Sequence, residues 1–169
     1  WVVPNYLALS LMTGVVLLAA LLAAFGQTPP ALAWLVQAAI VAAWWLKRGY
    51  WRFVDTEQGA ATIESATGLG HLGKVRLLEP PNTSENYLQR EMGYHIARRH
   101  AAKLRRLTMM LAFVIPLVLA LVSALMPGLA AAAIILAVPC VALGVVIERW
   151  LFFAEARHAV MLYYGAAVA

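Results

Sequence analysis

The chain has 169 residues, 63% hydrophobic and 12% charged, with a net charge of +5. Soluble domains are nearer half apolar and a quarter charged, so a disordered tail, a disulfide scaffold and an ordinary soluble enzyme are excluded. A single cysteine, Cys140, excludes an intrachain disulfide and a multi-cysteine metal site. What remains is an integral membrane protein. The sequence starts at Trp1 without a signal-peptide pattern and reads as a processed or partial chain.

Residues 1–46 and 107–147 contain no Asp, Glu, Lys or Arg. Residues 6–25 form a first apolar run, broken by Gly26-Gln27-Thr28-Pro29-Pro30. Residues 31–46 form a second, ended by Lys47 and Arg48. Runs at 107–126 and 129–147 follow, separated by Pro127-Gly128. A spanning helix needs about 20 residues. The second run is short, and Lys47 and Arg48 are expected to snorkel and lengthen it. Pro116 and Pro139 fall inside spans and should kink them. The expected fold is an all-α integral membrane protein, with four transmembrane helices as two hairpins joined by a basic, partly helical surface segment. Its expected parts are 1–47, 48–106 and 107–169. No run shows the polar face of a soluble bundle helix. Dense alanine favours close packing in lipid, and Trp34, Trp44, Trp45, Trp51 and Trp150 include candidates for an interfacial belt.

Eleven of the thirteen basic residues and six of the eight acidic ones lie between Lys47 and Arg106. Basic residues are retained on the cytoplasmic side, which places this segment in the cytoplasm and both hairpin turns outside. Charge confined to one segment does not read as a nucleic-acid surface. Gly68-Leu69-Gly70-His71-Leu72-Gly73 spells G-x-G-x-x-G, but the strand and long helix that a dinucleotide site requires are missing. It reads instead as a tight loop. After Pro80-Pro81, Asn82 and Glu85 resemble a capping box, and a helix is expected over about 83–106. Leu88, Met92 and Ile96 would form its apolar stripe, and Arg99, Lys103 and Arg106 its basic line. Lys74, Arg76, Arg90, Arg98, Arg99, Lys103, Arg105 and Arg106 are the candidates for contact with anionic lipid headgroups or an acidic partner subunit.

The fourth run ends in Glu148-Arg149, after which apolar character resumes, so this helix is expected to continue towards Tyr164. On such a helix Glu148, Glu155 and His158 share a face. Ionisable groups at a membrane span are costly unless paired or functional. Glu148, Arg149, Glu155 and His158 are therefore candidates for proton exchange with a quinone; the plainer reading is that Glu148 and Arg149 pin the helix end. No span contains histidine, which argues against axial haem ligation by this chain. His95 and His100 do not share a helical face, so a metal pair is not expected. No nucleophile-base constellation or phosphate loop is present, and no active site of its own is expected.

Three blocks carry a family resemblance. Thr67-Gly68-Leu69-Gly70-His71-Leu72-Gly73-Lys74-Val75-Arg76-Leu77-Leu78-Glu79-Pro80-Pro81 resembles a segment of the DmsC-type membrane anchor subunits. So does Asn86-Tyr87-Leu88-Gln89-Arg90-Glu91-Met92-Gly93, with 97–105 after it. The ending, from Glu148-Arg149-Trp150 through Glu155, His158 and Leu162-Tyr163-Tyr164-Gly165, is similar to their C-terminal signature. The resemblance covers nearly all of this chain but the C-terminal half of a member with about eight spans. It implies the membrane subunit of a dimethyl sulfoxide reductase or a membrane-bound sulfite dehydrogenase, in the inner (cytoplasmic) membrane. A molybdopterin catalytic subunit and an iron–sulfur subunit would be its partners. Quinone would be exchanged, and this chain itself would bind no cofactor. The family's quinol-linked His and Glu lie in the other half and have no counterpart here. A purely structural anchor and a small transporter are the alternatives; few polar residues near mid-membrane, Gln37 chief among them, speak for a transporter.

Overall fold

A computed structural model describes residues 1–56, 61–79, 82–84, 87, 95–156 and 159–164, with the backbone alone for 95–99. The helices are α1 (Val2–Ala24), α2 (Pro30–Thr56), α3 (Ile63–Thr67) and α4 (His95–Thr108). A π-helical turn (Met109–Val114), α5 (Ile115–Leu125) and α6 (Ala130–Ala154) follow, with short 3-10 turns at Gly70–Leu72, Pro127–Leu129 and Ala159–Tyr164. Four stretches are long and apolar enough to cross a membrane: Val2–Ala24, Pro30–Thr56, His100–Leu125 and Pro127–Ala154. The chain is an all-α multi-pass membrane protein. It divides into a unit of residues 1–54 with 102–150, which holds the bundle, and a unit of residues 55–101 with 151–169.

In the bundle the buried positions repeat every three or four residues. They are Asn5, Leu9, Met12, Val16, Ala19 and Ala23 on α1, and Ala33, Val36, Ile40, Ala43, Lys47 and Trp51 on α2. On α6 the stripe is Ala130, Ala133, Ile134, Ala137, Val141, Gly144, Glu148 and Leu151. The inward face is rich in small residues, and the outward face carries Leu7, Leu11, Leu121, Leu136 and Leu143. Lipid is as apolar as leucine, so close backbone approach rather than hydrophobicity selects the inward face. Gln27, Pro29, Ser123 and Ile134 border one small crevice, which puts both interhelical turns at the same end of the bundle.

The third span is not uniform. Pro116 has no N–H, and its ring would meet the Ala112 carbonyl four residues back. The backbone answers by widening: Ile115 N–H reaches the Met110 carbonyl, and Met109–Val114 is π-helical. The widened turn sets Ala112 against Gly144, where an added Cβ would stand 2.7 Å from the Ala112 Cβ and closer still to its backbone nitrogen. Pro139 is accommodated without a break in α6.

Three expectations change. The second helix does not end at residue 46 with snorkelling cations; it continues to Thr56 with Lys47 buried inside the bundle. The reason is a partner for Lys47, given below. The fourth helix stops at Ala154 rather than reaching Tyr164: Glu155 N–H still bonds Leu151, but Ala156 N–H tightens to Phe153 (3.3 Å), and a separate 3-10 turn starts at Ala159. In the surface segment, Asn82–Ser84 is not helical, Tyr87 is, and α4 is described over His95–Thr108. Glu85, Leu88 and Met92, invoked for the helix start and stripe, lie outside the described residues.

In the second unit, Thr62 caps α3. Its hydroxyl accepts from Ser65 N–H (3.3 Å), and its own N–H donates to the Ser65 hydroxyl (2.9 Å). Gly68, at φ 70°, ends the helix in the left-handed region, and Gly73 has φ 138°. A Cβ at Gly70 would stand 3.0 Å from the Glu64 Cβ. The glycine motif is thus a turn folded back on α3, and Glu64 closes it by accepting from Val75 N–H at 3.3 Å. Tyr163 donates to the Ala66 carbonyl at 2.8 Å.

Hydrogen bonds from backbone N–H groups, its own first, and from Thr62 hold the Glu64 carboxyl below the usual carboxylate range. A carboxyl lowered on folding adds stability that is present above its unfolded value and lost as pH falls through the lowered folded value. Amide-exchange protection at Val75 is expected to hold at neutral pH and fade in acid. Protection at Val75 that persists when the carboxyl is protonated contradicts this.

Candidate functional site: a buried charged layer

Four polar side chains are buried in the bundle: Asn5, Lys47 and Glu148 at 1% exposure, and Thr108 at 0%. Their depth follows from helix rise. Lys47 lies seventeen residues beyond Pro30, Glu148 eighteen beyond Ala130, Asn5 nineteen from Ala24, and Thr108 seventeen from Leu125. At 1.5 Å per residue, each is about 25–29 Å from the end that carries the interhelical turns. They form one layer at the opposite end, close to the limit of a hydrocarbon core about 30 Å thick.

The layer is built around one carboxylate. The Lys47 ammonium donates to Glu148 Oε1, and the Arg149 guanidinium donates through Nε to Oε2. Aromatic rings shield the cations: Lys47 Nζ is 4.2 Å from the Tyr50 ring centre and 4.9 Å from that of Trp51. Arg149 lies 4.0 Å from the Tyr6 ring centre, and Arg105 lies 5.4 Å from that of Trp51. Neither atom of the Asn5 amide has a hydrogen-bond partner among the described residues, and neither has the Thr108 hydroxyl. Two cations, Lys47 and Arg149, face one anion. The layer therefore keeps a positive field where the dielectric is low.

The candidate residues are placed as follows. Glu148 and Arg149 meet at this carboxylate. Glu155 is half-buried one residue past the end of α6, with its N–H still bonded to the Leu151 carbonyl. His158 and Arg90 lie outside the described residues. Arg98 and Arg99 are on α4, where the backbone alone is described. Lys74 and Arg76 are exposed on the loop after the glycine turn, Lys103 and Arg106 are exposed on α4, and Arg105 is half-buried against Trp51. Trp51, a belt candidate, belongs to the bundle interior. Sequence reasoning missed Lys47, Asn5 and Thr108 as members of the layer. A signal was present for Lys47, which continues the Val36, Ile40, Ala43 stripe.

Among the described residues, no group of three His, Cys, Asp or Glu is placed to hold a metal ion. No protein-family model matches the chain, and no curated protein or solved structure matches it either. Fold and site together define a four-span helical membrane protein with an ion-paired layer at one end.

Proposed function

We propose that the chain is a membrane anchor subunit of a quinone-linked molybdopterin oxidoreductase, of dimethyl sulfoxide reductase or sulfite dehydrogenase type. Its seat would be the inner (cytoplasmic) membrane, with the basic end of the bundle in the cytoplasm. The observation that carries the reading is the buried Lys47–Glu148–Arg149 group. Ionisable groups inside a membrane bundle are costly and mark functional layers, and this one lies at the end where the basic surface segment begins. The three sequence blocks that resemble the DmsC-type anchors add the particular complex. The exposed Lys74 and Arg76 would dock the iron–sulfur subunit, which carries the clusters, while the molybdopterin subunit performs the substrate chemistry.

In this reading the layer supplies fixed positive charge within the bundle, and Glu155 exchanges protons with quinone. Glu155→Gln in the assembled complex is expected to slow quinone turnover by about 10²-fold, the lower end for loss of a general acid–base group, while partner subunits and metal content are retained. Unchanged turnover removes Glu155 from the mechanism. A second reading, a purely structural anchor, is favoured by the engagement of both Glu148 oxygens within the bundle. The two readings separate on whether a quinone analogue protects this chain from a membrane-soluble photoreactive probe.

A further inference from the structure

The bundle has an apolar groove of about 170 Å³ on its flank, between α2 and the widened part of the third span. It is lined by Ile40, Val41, Trp44, Phe113, Val114 and Leu117. Phe113 and Val114 belong to the π-helical turn, so the same widening that accommodates Pro116 shapes this wall. None of the six offers a charge, and the Trp44 indole N–H is the one strong donor among them. A ligand held here must be a hydrocarbon chain over most of its length.

The end of the groove is different. On α2, Arg48 and Arg52 continue the Trp44 face at i+4 and i+8, both exposed, and the Arg48 guanidinium lies 5.5 Å from the Trp44 ring centre. On the third span, the face below Phe113 and Val114 passes through exposed Met110 to exposed Arg106 and Lys103. Arg106 Nε spends its bond on its own helix, at the Ala102 carbonyl (3.4 Å), which leaves its terminal nitrogens to the outside. Of the carboxylates at this end, Glu148 is turned inward to Lys47 and Arg149, and Asp55 follows Arg52 by three residues on α2. An apolar slot about one helical turn long on each helix therefore lies a turn away from a rim of cations at the headgroup level.

We propose that this groove is a binding site for a single anionic phospholipid. One acyl chain lies against Trp44, Phe113 and Leu117, and the phosphate sits between Arg48 and Arg106. The inference is independent of the anchor reading: it needs the bundle and its basic rim, not a partner subunit. Charge complementarity selects the headgroup, and the apolar length selects a lipid over an acidic protein, which would use the rim but leave the slot empty.

The test is native mass spectrometry of the full chain in mild detergent, with phosphatidylglycerol and phosphatidylcholine of identical chains supplied together. One phosphatidylglycerol is expected to be retained about twenty-five-fold in preference, since each basic side chain near an anionic lipid contributes about fivefold. Arg48→Gln with Arg106→Gln should bring the preference close to unity. Both side chains are exposed, so the variant keeps its fold, checked by circular dichroism. Val114→Trp, which fills the slot, should reduce retention of both lipids. Equal retention of the two lipids overturns the proposal. So does an undiminished preference in the double variant, a quinone held in place of phospholipid, or an acidic protein carried on Arg48 and Arg106 while no lipid is held.

Discussion

Lys47→Met is expected to destabilise the bundle by about 3–5 kcal/mol, the cost of breaking a buried ion pair from one side. The substitution keeps the length and most of the volume of the side chain, so packing against Tyr50 and Trp51 survives. What it removes is the cation on Glu148 Oε1, leaving a carboxylate held by Arg149 alone in a low dielectric. The paired substitution Lys47→Met with Glu148→Met should recover most of that loss, because desolvating two charges costs about what their attraction returns. Equilibrium unfolding in mixed micelles measures both. A single variant as stable as the double would mean that the pair is not buried together. Arg149 makes the double change imperfect, since its own partner leaves with Glu148.

The second large effect concerns Gly144. Its missing side chain allows the α6 backbone to meet Ala112 in the widened turn, and an added Cβ would collide with backbone as well as with the Ala112 methyl group. Backbone cannot swing aside as a long side chain can. Gly144→Ala is expected to cost about 1–3 kcal/mol as overpacking, and Gly144→Leu to separate the third and fourth spans altogether. The same micelle unfolding assay reports the first; cross-linking between cysteines placed on the two helices reports the second. A stable Gly144→Leu bundle would show that the two helices do not touch there.

These two residues also show what the sequence made legible. The spans were readable because twenty-residue uncharged runs have few other uses, and the prolines and glycines at 26–30 and 127–128 marked the turns. The inward face was not readable from hydropathy. Leucine outward and alanine inward differ in size, not in polarity, so a helix such as α6 looks equally apolar all round. Polar residues were the better guide: Asn5, Lys47, Thr108 and Glu148 all point inward. Lys47 was misplaced because a lysine at the end of an apolar run ordinarily snorkels. Its partner is 101 positions away, and no local rule brings the two together. The π-helical turn likewise needed the backbone, although Pro116 announced some local disturbance. For the layer, Glu148 and Arg149 were found from their cost in a membrane, while the third partner required the packed bundle. The continuous helix expected to reach Tyr164 ends at Ala154, one residue before Glu155, because apolar character alone does not carry a helix onward.

The anchor reading makes one demand that no stand-alone membrane protein meets. Extracted from native membranes in mild detergent under a tag on this chain, the protein should carry two larger subunits, together with molybdenum and iron. Mass spectrometry and elemental analysis of that preparation test the account most directly. Molybdenum, iron and both subunits in constant proportion to this chain are the predicted result. A homogeneous preparation without metal and without partner chains, from membranes solubilised intact, would contradict it.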